Sequence, residues 1–175
     1  MKYELRLTGT GGQGLILAGI ILAEAALLDE KLSIQSQSYG PEARGGSSKA
    51  EVIISDEAIH FPKVTKPNLL LAMSQEAADK YGSDMTTDCI LVTDSLFVSK
   101  LPEHQGKIYQ LPITHTSKEV FGKTLFANII ALGALVKITN IVSAEAIEKA
   151  VLNRVPKGTE ELNKKALLLG MEMVK

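Results

Sequence analysis

The sequence predicts an α/β domain on a mixed, mostly parallel, twisted sheet, with helices on both faces. Three observations point there. Strand-like and helix-like segments alternate along the whole chain, which is the pattern of a layered α/β domain. Two candidate strands, Leu69-Leu70-Leu71-Ala72-Met73 and Cys89-Ile90-Leu91-Val92-Thr93-Asp94, are apolar along most of their length, as strands covered on both faces are. The candidate strands near 33–38 and 49–55 are joined by about ten residues with no room for a helix, whereas a parallel crossover needs a dozen or more. Those two strands are therefore expected to form an antiparallel pair.

Each element has its own warrant. Residues 3–8 alternate as a first strand, and residues 12–28 form a helix rich in Ala and Gly that can lie close to a sheet. Residues 33–38, Ser-Ile-Gln-Ser-Gln-Ser, are polar but free of breakers. Tyr39 to Ser48 is a loop by composition, and Lys49 to Ser55 returns to an apolar strand through Val52-Ile53-Ile54. After the strand at 69–73, Ser74 is placed to cap a helix with Glu76 in its first turn. Residues 107–113 read as a sixth strand. Thr116 and Glu119 have capping-box spacing, and Phe121, Leu125, Ile129, Leu132 and Val136 have helical period, so one long helix is expected to reach about Lys137. Two further helices follow near 143–153 and 159–173, parted by Pro156-Lys157-Gly158.

With 175 residues, one domain spanning 1–175 is expected, large enough to bury its own core. A net charge of −1 without a Lys/Arg cluster argues against a nucleic-acid or anionic-membrane surface. The longest apolar run, Leu15 to Leu28, carries Glu24 and is shorter than the roughly 18 residues of a membrane span. No secretory signal is read at the N-terminus, so a cytoplasmic location is expected. The single cysteine, Cys89, can neither form an internal disulfide nor hold an iron–sulfur cluster, which takes about four thiolates.

In such sheets, ligands sit beyond the carboxyl ends of the strands, where strand order reverses. Thr8-Gly9, Tyr39, Ser74, Asp94 and Thr114-His115 fall at those ends. Gly9, Gly11 and Gly14 have G-x-G-x-x-G spacing, with Gly12 added, between a strand and a helix. Glycine permits a sharp turn and close backbone approach, and a helix start presents unpaired N–H groups to an anion. The competing reading is that the glycines serve only close packing of helix on sheet or subunit. A nicotinamide site wants an acid at the end of the second strand, which here reads Gln35-Ser36-Gln37-Ser38; Asp29 and Glu30 precede the strand. No Gly-Lys-Ser/Thr follows, so the turn is not a Walker loop. Arg44, set among small residues in Tyr39-Gly40-Pro41-Glu42-Ala43-Arg44-Gly45-Gly46, offers a planar fork for a carboxylate or phosphate, or is simply a solvated loop arginine.

Other candidates have plainer readings. His60, His104 and His115 are scattered without metal-ligand spacing. Cys89 reads as a small core residue, Asp94-Ser95 as a turn or cap, and Asn128 as a local or subunit contact that stays off the site. Met171 and Met173 read as packing.

GTGGQGLILAGIILAEAA, QSQSYGPEARGGSSKAEVIIS, PNLLLAMSQEAADKY and the later NIIALGAL together resemble the gamma subunit of 2-oxoacid:ferredoxin oxidoreductases, over the whole chain. The long YGPEARGG form is most similar to the 2-oxoglutarate branch. The resemblance implies a coenzyme A-dependent oxidative decarboxylation of a 2-oxoacid, or its reverse, with electrons passed to ferredoxin. It implies a Rossmann-like gamma-type domain that contributes to coenzyme A binding and assembly. Thiamine diphosphate, magnesium and the iron–sulfur clusters would lie in partner chains: the alpha, beta and delta subunits, through which ferredoxin is also reached. The chain would be inactive alone and could self-associate when isolated. Gly9, Gly11, Gly12, Gln13, Gly14, Tyr39, Arg44 and Gly45 are the expected cofactor-binding residues, with no catalytic acid, base, nucleophile or metal ligand on this chain. Two other readings stay open, a stand-alone nucleotide-binding enzyme using the Gly9–Gly14 turn and a regulatory module that has lost its ligand.

Overall fold

A computed structural model describes residues 1–38 and 47–175; the expected site residues Tyr39, Arg44 and Gly45 lie outside the described residues. The chain runs β1 (Lys2–Thr10), α1 (Leu15–Leu28), β2 (Leu32–Gln37), β3 (Ser47–Ser55), β4 (Leu69–Ala72), α2 (Gln75–Tyr81), β5 (Ile90–Asp94), β6 (Ile108–Leu111), α3 (Ile113–Phe121), a 3-10 turn (Thr124–Phe126), α4 (Ala127–Thr139), α5 (Ala144–Arg154) and α6 (Glu160–Glu172). One six-stranded sheet has the order β2-β3-β1-β4-β5-β6. β1, β4, β5 and β6 are parallel, and β3 is antiparallel to both β1 and β2. The expected mixed sheet and its antiparallel pair are borne out.

Register explains which residues face which layer. Val52, Leu5, Leu69 and Ile90 lie in one row across the sheet, and Ala50, Leu7, Leu71 and Val92 in a second row on the same face. α1 packs against this face, and α4, α5 and α6 join it in one main core. The intervening row, Glu51–Arg6–Leu70–Leu91, faces α2, where Leu70, Leu91, Ala77, Tyr81 and Cys89 form a smaller core. Arg6 is buried in that row. Its guanidinium meets Glu51 at 2.9 Å and Asp84 at 3.1 Å, donates to the Val64 carbonyl at 3.3 Å, and lies 5.6 Å from the Tyr81 ring centre. The charge in mid-strand is thus paired, and each guanidinium nitrogen is bonded, as burial demands.

α4 is the middle helix of the larger layer; every residue from Ala127 to Val136 is buried. It crosses α6 closely at Gly133 and Gly170, where a Cβ on either would strike the backbone of the other helix. None of the described helices is long and apolar enough to cross a membrane.

The expected long helix from a Thr116–Glu119 capping box is corrected. α3 begins at Ile113, so Thr116 is inside it and donates its hydroxyl to the Pro112 carbonyl at 2.7 Å. That i−4 bond is the usual recourse of a mid-helix threonine. Gly122 then takes a left-handed conformation, φ 73°, and ends the helix with its N–H on the Lys118 carbonyl. α4 starts afresh after the 3-10 turn. Leu125, expected on the buried stripe, is 68% exposed.

The Ser74 cap is as expected, with its hydroxyl accepting from Ala77 N. Ser143 caps α5 in the same way and also bonds Asp29 at the end of α1, through its hydroxyl at 2.7 Å and its amide at 2.5 Å. Ser143→Ala removes the cap and half of that joint. It is expected to cost about 1–2 kcal/mol in urea denaturation with an unchanged slope.

Candidate functional site

β1 ends at the point where strand order reverses, between β3 and β4, and the glycine turn leaves from there. Gly12 has φ 90° and Gly14, the residue before α1, has φ 75°, both open to glycine and strained for other residues. A Cβ on Gly9 would collide with the Gln13 side chain and with Leu15 and Met73. That gap lets Gln13 fold inward. Its Oε1 accepts from Thr10 N at 2.6 Å and its Nε2 donates to the Met73 carbonyl at 3.1 Å. The Gln13 side chain therefore braces the turn against the end of β4, and its backbone N–H is held by the Thr10 carbonyl.

What the turn leaves open is backbone. Among the described residues, the N–H groups of Gly11, Gly12 and Gly14 meet no acceptor, and no side chain caps α1. These three residues line a cleft of about 590 Å³. Thr114, Lys123 and Asn128 give it polar walls, while Leu17, Phe97 and Leu125 give it an apolar side. Lys123 is the one charged side chain among the described residues lining it. Asn128, near the start of α4, donates to the Gly14 carbonyl at 3.2 Å and so fixes the mouth of α1 against α4. An acid-free lining, unpaired amides, a helix start and a lysine make this cleft suited to an anion with an apolar extension.

Asp94 stands behind the wall. It is fully buried and accepts from the Thr114 hydroxyl and from Leu96 N. Burial pushes its carboxyl above the ordinary range, with the Thr114 and Leu96 bonds opposing.

Of the expected site residues, the structure brings Gly11, Gly12, Gln13 and Gly14 to the cleft and sets Gly9 behind them. Among the strand-end candidates Thr114 reaches it, while Ser74 is spent on its cap. Phe97, Lys123 and Thr124 were not legible as lining residues, and the reading of Asn128 as a contact off the site is corrected, since it lines the cleft. The available signal was Gly122-Lys123, a helix stop followed by a cation.

The remaining titratable candidates fall away. Cys89 is buried, and desolvation pushes its thiol up to about 12, so it is no thiolate nucleophile. His104 is tied to the Cys89 carbonyl, and His115 is exposed beside Glu119. No group of three or more His, Cys, Asp or Glu among the described residues is arranged to hold a metal. A larger cleft of about 770 Å³ opens at the far end of α1, roughly 20 Å away along a 14-residue helix. Its Asp29 is engaged by Ser143, and its Lys31 donates to the Ile141 carbonyl at 2.5 Å. It reads as a structural joint. That engagement of Asp29 also removes the nearest acid a nicotinamide ribose would need.

Fold and cleft together define an α/β domain with a mixed sheet and a glycine turn that opens on a cleft at the strand-order reversal. The chain matches the pyruvate ferredoxin/flavodoxin oxidoreductase family over residues 4–173 and belongs to it, among the gamma subunits. It is 52% identical to the 2-oxoglutarate synthase subunit KorC of Methanocaldococcus jannaschii, over 100% of this chain and 95% of that one. It is 52% identical, with a TM-score of 0.88, to the crystal structure of a keto/oxoacid ferredoxin oxidoreductase gamma subunit from Geobacter sulfurreducens, covering 98% of this chain and 97% of that one. A third likeness is to the 2-oxoglutarate:ferredoxin oxidoreductase of Magnetococcus marinus with 2-oxoglutarate, coenzyme A and succinyl-CoA bound. There the TM-score is 0.88 at 21% identity, over 98% of this chain and 31% of that one, which speaks for the fold.

Proposed function

We propose that this chain is the gamma subunit of a 2-oxoglutarate:ferredoxin oxidoreductase, and that its glycine-turn cleft docks an anionic part of coenzyme A. The observation that carries the site is the set of unpartnered N–H groups at Gly11, Gly12 and Gly14, facing an acid-free cleft with Lys123 at its wall. Phosphate oxygens are the acceptors such donors fit. Leu17, Phe97 and Leu125 offer apolar surface to the uncharged arm of the same molecule. Gln13 acts by bracing the turn, and Tyr39, Arg44 and Gly45, in the segment after β2, would complete the site. The likeness to the Methanocaldococcus subunit supports 2-oxoglutarate as the oxoacid.

The chain's own part is binding and orientation. Its single, buried cysteine does not fit an iron–sulfur cluster. Thiamine diphosphate, magnesium and the clusters are assigned to the alpha, beta and delta partners, where thiamine diphosphate supplies the decarboxylation chemistry. The chain binds one substrate of that chemistry and needs its partners for turnover.

Titrating coenzyme A into the assembled complex tests this reading. Lys123→Ala removes an exposed cation, worth about 0.4–1 kcal/mol, so affinity is expected to fall about two- to fivefold. The difference should shrink at high salt, as screening demands. If Lys123→Ala and Gly12→Ala both leave the isotherm unchanged, coenzyme A does not dock here. Assay of the complex against pyruvate, 2-oxoglutarate and branched oxoacids decides the substrate.

A further inference from the structure

Asp94 is a fully buried carboxylate that does not line the cleft, yet its bonds run to the two segments that build one of its walls. It closes β5. Its Oδ1 accepts from Leu96 N at 3.2 Å, and its backbone carbonyl accepts from Phe97 N at 3.2 Å and Val98 N at 2.9 Å. Both carboxylate oxygens also meet Thr114 N, at 3.4 and 3.3 Å, and the Thr114 hydroxyl donates to Oδ2. Phe97 and Thr114 line the cleft opposite the glycine turn.

We infer that Asp94 is a positioning residue for coenzyme A: it locks the Leu96–Phe97 turn to the first turn of α3, and so fixes the wall that faces Gly11, Gly12 and Gly14. This rests on the reading of that cleft as the docking point. The chemistry favours a carboxylate over any neutral isostere. Leu96 N, Thr114 N and the Thr114 hydroxyl all donate, and an ionised carboxylate is acceptor-only, with sites for all of them. An amide at the same place offers one acceptor oxygen and turns an NH₂ toward a donor. With its oxygen at the Oδ1 place the amide keeps Leu96 N and Thr114 N, but the Thr114 hydroxyl must turn round to accept from the NH₂, its charge-assisted bond is lost, and the wall shifts with it. Those donors offset part of the burial cost of the charge, so its retention in a sealed position fits a geometric task.

The experiment uses the assembled complex and reads the dissociation constant for coenzyme A, the split of KM against kcat, and the melting temperature. Asp94→Asn and Thr114→Val are expected to raise Kd and KM for coenzyme A about fivefold, with kcat at saturating coenzyme A changed less than about twofold. Thr114→Ser keeps the hydroxyl and is expected to recover most of what Thr114→Val loses. A lower melting temperature with Kd and KM unchanged would reduce Asp94 to a purely structural residue and overturn the inference, as would a fall in kcat at constant KM. Thr114→Val against Thr114→Ser carries the test if Asp94→Asn does not assemble. Lys123→Ala and Gly12→Ala run in parallel separate the two readings. If they leave coenzyme A affinity intact, the docking site itself is wrong. If they weaken binding while the Asp94 and Thr114 variants do not, only the positioning role fails.

Discussion

Gly170→Ala is expected to lower the stability of the chain by about 3 kcal/mol or more, which for a chain of this size moves the melting temperature by roughly 10 °C. The cause is geometric. A Cβ at Gly170 would overlap the Ile130 carbonyl oxygen, and would lie 2.8 Å from the Ile130 carbonyl carbon and 2.9 Å from Ala134 N. These are backbone atoms of α4, so no rotamer change relieves the overlap. α4 has no room to retreat, because Ala127 to Val136 are buried without a break. The helices must separate, opening voids around Leu167 and Ile130, and lost packing adds to the strain. Gly133→Ala should behave similarly, since its Cβ would overlap the Leu167 carbonyl oxygen. Thermal denaturation of the two variants checks both. A shift under about 2 °C in each would mean that the helix pair is looser than this geometry allows.

Which parts of this architecture were legible in the sequence follows from how local their causes are. Leu69–Ala72 and Ile90–Val92 declare buried parallel strands by apolar continuity, and the short link between β2 and β3 forbids a crossover. Both are statements about a few adjacent residues. The break at Gly122 was hidden because Thr116 and Glu119 imitate a helix start while lying inside α3, and the left-handed φ of Gly122 and a 3-10 turn separate the two helices. The glycine turn was legible as a sharp strand-to-helix connection by its position after β1. The inward fold of Gln13 was not, because its acceptor, the Met73 carbonyl, is 60 residues away. Lys123, Asn128 and Phe97 reach the cleft only through packing of α4 and the β5 end against α1, and no spacing in the chain encodes that meeting. The gamma-subunit motifs around Gly9–Gly14 and in NIIALGAL turn out to be in contact: Asn128 opens the second and bonds Gly14 in the first.

That contact makes Gly14→Ala the sharper functional experiment. Alanine at φ 75° costs about 1–2 kcal/mol in backbone strain alone. Its Cβ would also stand 2.6 Å from Asn128 Nδ2 and 3.1 Å from Asn128 Cγ, so Asn128 must swing away and release the Gly14 carbonyl. Both the open amides before α1 and the start of α4 then shift, on opposite sides of the cleft. Coenzyme A affinity of the assembled complex is expected to drop at least tenfold, about 1.4 kcal/mol, with a stability loss of about 2 kcal/mol beside it. Gly158→Ala separates the two effects. Gly158 has φ 89°, a Cβ there would meet nothing within 4 Å, and it sits in the turn between α5 and α6. It should show the strain as a stability loss near about 1 kcal/mol while binding coenzyme A as the unaltered complex does. Adding Asn128→Ala to Gly14→Ala removes the clash and leaves the strain, so stability should partly recover while affinity does not, because the Asn128 clamp is absent in both. Superposable coenzyme A isotherms for Gly14→Ala and Gly158→Ala would place the ligand away from this turn, whatever their melting temperatures.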